Sequence, residues 1–180
     1  MKRSLPTLIA LVLCALMDAA RPAAADGLLR AALIVSDAER SVAFYRVLGF
    51  EIEMDQANPR QPEGNFFPLN VPATAVRLVI MAHRDEVGGK IGLVEFASPT
   101  PTEARRDPTT VGIGDVVLVF DTADADASHA DLQAINAQIL EPPQTYRSKK
   151  TAADGRALFG KVFHARDPDG YLIELLQAPR

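Results

Sequence analysis

Along "LLRAALIVSDAERSVAFYRVLGFEIEM" (residues 28–54) the period of the apolar positions changes twice. A run of Leu, Ala, Ile and Val reads as a strand. Val42, Phe44, Tyr45 and Leu48 then fall on one helical face, and a second strand follows. Ser36 with Glu39 has the spacing of a capping box, Asp37 is an alternative cap, and Gly49 is a helix stop. "GDVVLVFDTADADASHADLQAINAQIL" (114–140) repeats the grammar, with Ala130, Leu132 and Ile135 on the helix and Asn136 where Gly49 stood. Arg30 maps onto Asp115 and Gly49 onto Asn136, once two residues are inserted at the second helix start. Each half continues with two more strands, 76–83 and 91–97 in the first, 160–166 and 171–177 in the second. The pattern predicts an α+β chain of two tandem β-α-β-β-β units, about 28–97 and 114–177. Residues 56–74, 98–111 and 141–155 read as loops, the last carrying Arg147, Lys149 and Lys150.

The last strand, "YLIELLQ", holds a carboxylate in an apolar run. Tyr171, Ile173 and Leu175 share one face, and Leu172, Glu174 and Leu176 the other. A buried carboxylate without a partner is costly, so Glu174 calls for a surface pair, an edge position or a function. Asp167-Pro168-Asp169-Gly170 before it favours a type I turn with a bulge, which sets Asp167 against Tyr171 and His164 opposite Glu174. Without the bulge Phe163 takes that place. His83 and His129 read as exposed.

The amino terminus alters the boundaries. Lys2 and Arg3, an apolar run from Leu8 to Met17 and then Ala23-Ala24-Ala25 form the three parts of a secretory signal, with cleavage expected after Ala25. Residues 26–180 are then a single exported domain, periplasmic or secreted. Cys14 is the one cysteine, so that domain has no disulfide and no thiolate ligand. Three of the 19 basic and one of the 23 acidic residues precede the cleavage point, which leaves a net charge of −6. An acidic chain without a basic stripe argues against nucleic acid, and no later segment reads as a membrane span.

Two β-α-β-β-β units with "VSDAERSVAFYRVLGFE" in the first and "RDPDGYLIEL" in the second resemble the vicinal oxygen chelate superfamily of glyoxalases, extradiol dioxygenases and bleomycin-resistance proteins. The resemblance implies a cupped mixed sheet around a cavity, with helices outside. It implies four ligand positions on cavity-facing strands, matched here by Arg30, Glu95, Asp115 and Glu174. A guanidinium is no metal ligand. Either Arg30 pairs with the carboxylates in a metal-free cluster, or it swings aside and Glu95, Asp115 and Glu174 hold a hard divalent ion such as Mn²⁺ or Mg²⁺. The resemblance further implies a lyase or isomerase acting on a small oxygenated molecule, with Glu95 and Glu174 as acid–base groups, His164 as an auxiliary, Arg30 and Asp115 binding ligand, and a homodimer. The alternative is a resistance-type protein that binds a small molecule without turnover.

Overall fold

The structure, a computed structural model, describes residues 27–58, 67, 73, 75–85, 88–102 and 110–179. The signal segment expected at 1–25 lies outside these residues. Among the described residues two helices and nine strands run in the order β1 (Arg30–Val35), α1 (Ala38–Val47), β2 (Phe50–Ala57), β3 (Ala75–His83), β4 (Lys90–Ser98), β5 (Val117–Asp121), α2 (Ala125–Ala134), β6 (Gln138–Ile139), β7 (Gln144–Thr151), β8 (Ala157–Arg166) and β9 (Leu172–Gln177). No described helix is long and apolar enough to cross a membrane.

Both units have the same plan. The first sheet runs β1-β4-β3-β2 and the second β5-β9-β8-β6, with β7 also on β8. β1 lies parallel to β4 and β5 parallel to β9, while the other pairs are antiparallel. The tandem α+β reading therefore holds, with one correction. Residues 144–151, expected in a loop, form β7 and zip onto β8 with Tyr146 opposite Gly160.

Local signals place the helices. Asp37, rather than Ser36, caps α1 by accepting from the Arg40 amide, and Asp124 caps α2 from the Asp126 and Ala127 amides. Gly49 (φ +87°) and Asn136 (φ +55°) take the left-handed turn that ends each helix. The main core lies between the helices and the convex faces of both sheets, where Leu33, Val42, Tyr45, Leu132, Phe163 and Ile173 are sealed from solvent. A second apolar cluster of Val76, Leu78, Val94 and Phe96 fills the concave face of the first sheet, with Phe67 packed edge-on against Phe96.

The Asp-Pro-Asp-Gly turn clasps the two units together. Asp167 accepts from the amides of Asp169 and Tyr171, which closes the turn, and from the buried Tyr45 hydroxyl of α1 at 2.9 Å. Asp169 accepts from Ser36 and Ser41, and Arg40 donates to the Pro168 carbonyl. Tyr171 Oη both accepts from the Ile34 amide and donates to its carbonyl, tying the free edge of β1 to the second unit.

Candidate functional site

Glu174 stands at the centre of the open concave face of the second sheet. Its neighbours Ile173 and Leu175 point into the core and are essentially sealed, so alternation directs Glu174 to the other face. The bulged turn is present, since the Asp167 amide donates to the Tyr171 carbonyl and Gly170 has φ +85°. His164 accordingly falls directly opposite Glu174 on β8. The imidazole Nε2 lies 3.1 Å from Glu174 Oε2 and Nδ1 lies 2.6 Å from Glu141 Oε1.

Glu141 was not singled out by the sequence. It follows β6, which pairs Ile139 with Ala165 and brings the Leu140 amide onto the His164 carbonyl. The two-residue β6 is too short to be read from periodicity, and an acid before Pro142-Pro143 looks like loop composition.

A neutral imidazole carries one N–H. If Nδ1–H is given to Glu141, the close approach of Nε2 and Glu174 Oε2 requires a proton on one of them. The ring thus bridges two carboxylates, one at each nitrogen, on a partly exposed face of the second sheet. The Glu174 side chain is 27% exposed, and its Oε1 has no partner among the described residues.

The other expected site residues lie elsewhere. Glu95 accepts from the Ala38 amide at the start of α1, where a carboxylate also complements the helix dipole. It shares the helix-facing side of β4 with Ile91 and Leu93, whereas Val94 and Phe96 face the concave side. Arg30 pairs with Lys90 and Val35 with Glu95, so Arg30 and Glu95 are five residues apart along the ladder, about 16 Å. The Arg30 side chain lies across Gly92, within 3.2 Å of where a Cβ would stand. Asp115 precedes β5 in a turn, where it accepts from the Gly112 amide at 2.7 Å. The convergence of Arg30, Glu95, Asp115 and Glu174 in one cavity is thus corrected by strand parity and by the late start of β5.

These donors do not fit the metal that such a cup can hold. One of the four positions is a guanidinium, and two of the three carboxylates are directed away from Glu174. Among the described residues no three His, Cys, Asp or Glu side chains are grouped to take an ion. Glu141 and Glu174 lie on opposite ring nitrogens of His164 and do not converge. The other two histidines, expected to be exposed, are half-buried against aromatic rings, His83 on Phe50 and His129 on Phe163, each with centroids 5.4 Å apart.

Comparison with solved structures places this fold among known ones. A glyoxalase family protein of Bacillus cereus superposes with a TM-score of 0.63 at 16% identity, over 87% of this chain and 96% of that one. The trypanothione-dependent glyoxalase I of Leishmania major gives 0.54 at 20% identity, covering 85% and 87%. A glyoxalase/bleomycin resistance protein/dioxygenase domain from Frankia gives 0.54 at 17%, covering 86% and 93%. No curated protein sequence matches the chain. Residues 27–175 match the family model itself, and the chain belongs to the glyoxalase/bleomycin resistance protein/dioxygenase superfamily.

Proposed function

We propose that the protein binds a small oxygenated molecule on the concave face of the second unit and moves a proton on it, as a lyase or isomerase. The observation that carries this reading is the Glu141–His164–Glu174 array, with a carboxylate on each imidazole nitrogen and Glu174 Oε1 left to meet a ligand. In this reading Glu174 takes a proton from carbon next to a carbonyl. His164 holds that carboxylate through Nε2 and Oε2, which leaves Oε1 to accept the proton, and Glu141 holds the ring in place. Val117 and Val119, both exposed on β5 beside Glu174, supply an apolar wall. The signal-like amino terminus supports export to the periplasm or beyond. The free outer edges of β2 and β5 support a homodimer.

The second reading is binding without turnover, favoured by the poor fit of the donor set to a metal. A ligand-observed NMR screen of small hydroxyketones, hydroxyacids and diols in D₂O separates the two. Proton transfer predicts hits that lose an α-proton signal to deuterium, with the exchange gone in Glu174→Gln. Binding alone predicts hits without exchange. Hits unaffected by Glu174→Gln and His164→Gln would place the ligand elsewhere and sink both.

A further inference from the structure

The two ends of the junction between the units are built differently. Arg30 pairs with Lys90 at the start of β1, and Val117 with Leu172 at the start of β5. The spacing that relates Arg30 to Val117 also relates the caps Asp37 and Asp124 and the stops Gly49 and Asn136. In the folded units Ile34 therefore corresponds to Asp121 and Ser41 to Ser128, and ahead of the paired strands Tyr171 corresponds to Gly89. Tyr171 alternates with Ile173 and Leu175, which directs its ring to the helix-facing side, and its hydroxyl bonds both the amide and the carbonyl of Ile34. A phenol thus plugs one end of the junction. At the other end Gly89 carries no side chain, and an added Cβ would meet nothing within 4 Å.

A cleft of about 950 Å³ opens there, lined by Gly89 on one side and by Phe120, Asp121 and Thr122 of β5 on the other. That is near the upper end of the range of about 300–1,000 Å³ usual for small-molecule sites. Leu48, Phe50 and Ile91 from the first unit face Leu118 and Phe120 from the second. Phe50 and Phe120 stand edge to face with centroids 5.5 Å apart, and His83 is edge-on to Phe50. A further ring entering beside Gly89 extends this edge-to-face arrangement. The charged groups of the lining are exposed or engaged. Arg84 leans on the Gly49 carbonyl, Asp85 lies beside His83, Lys90 is paired with Glu53, and Asp121 has a contact of its own. The Arg30 side chain lies on the other face of the first sheet, over Gly92. The Thr122 and Ser128 hydroxyls bond each other at 2.7 Å. The interior of the cleft is therefore apolar and aromatic, with hydroxyls at its β5 end.

We propose that this inter-unit cleft is a ligand site for a phenol, separate from Glu174, which lies on the opposite face of the second sheet. The ring takes the position that Tyr171 takes at the other end of the junction, with Phe50 and Phe120 in its walls. Its hydroxyl is directed at β5 as the Tyr171 hydroxyl is directed at β1. A substituent para to that hydroxyl leads out past Gly89, which is exposed. Glycine in the place of tyrosine is what opens the site.

Calorimetry with 4-ethylphenol tests this on the purified protein, with 4-ethylanisole as a control that keeps the ring and lacks the hydroxyl proton. 4-Ethylphenol is expected to bind at least tenfold more tightly than the control. Gly89→Tyr, which supplies the ring from the chain itself, should abolish 4-ethylphenol binding and raise the thermal unfolding midpoint. Gly89→Ala should leave binding within twofold of wild type. Leu118→Trp fills the cleft from the opposite wall and should also abolish binding, so the test stands even where Gly89→Tyr does not fold. Equal affinity of the two probes, binding that survives the filling variants, or an absence of binding by either probe overturns the proposal. So does binding lost in Glu174→Gln and kept in Gly89→Tyr, which would put the phenol on the other face of the sheet.

Discussion

Tyr45 and Asp167 meet in the interior, where the phenol is completely sealed and the carboxylate nearly so. Burial pushes both groups up. The Asp167 carboxyl is held above its usual range by desolvation, although three hydrogen-bond donors oppose the shift. The folded chain therefore retains the Asp167 proton at pH values where the unfolded chain, near pH 4, has released it. The stability linked to this group is complete below that point and is lost as pH rises through the folded value. Denaturant titrations at pH 4, 5.5 and 7 should show the advantage of wild type over Asp167→Asn shrinking with pH; an advantage that grows would contradict the assignment. Tyr45→Phe leaves Asp167 Oδ2 without its donor and should cost about 1–3 kcal/mol in the same titration at pH 7. At this scale Glu174 and His164 were legible because Asp-Pro-Asp-Gly fixes its own bulge, and the bulge fixes which residues face each other. Glu95 was legible only as a residue type. Strand parity decides its face, and a shift of one position turns a cavity ligand into a helix cap.

Among the elements, β7 shows where reading by periodicity fails. "QTYRSKKT" carries almost no apolar side chains, so alternation has nothing to display, and the strand forms by pairing with β8. Its one aromatic, Tyr146, lies over Gly160, where an added Cβ would come within 2.6 Å of the ring and clash with the Gln177 carbonyl. Gly160→Ala should therefore cost about 3 kcal/mol or more, because backbone on β9 has to yield. Urea unfolding checks this, and a loss below about 0.5 kcal/mol would show that β7 does not sit there in solution. The helices, by contrast, were legible to the residue in their stops. Gly49 and Asn136 both take the left-handed conformation their positions called for, and Gly49 has the added constraint of His83 Nε2 2.7 Å from any Cβ.

For the whole molecule, the duplication was legible because both units repeat the same periods, and the matching strand orders of the two sheets bear it out. What the repeat conceals is its asymmetry. The first concave face is packed with Val76, Leu78, Val94 and Phe96, whereas the second is open and polar around His164. Residues that align between units thus have different surroundings, and a four-residue site inferred by alignment does not assemble. Assembly is a matter for solution measurement. A homodimer predicts a sedimentation mass twice that of the chain at micromolar concentration, and a single monomer species would remove that part of the proposal. The account as a whole turns on whether Glu174, rather than Glu95, is the proton-transfer group. The direct test is the rate of solvent deuterium incorporation into a bound hydroxyketone, compared across wild type, Glu174→Gln and Glu95→Gln. Glu95→Gln keeps an acceptor for the Ala38 amide and should exchange at the wild-type rate, while Glu174→Gln should be slower by about 10²–10⁴-fold. Equal impairment of the two variants, or exchange that survives in Glu174→Gln, would contradict the account.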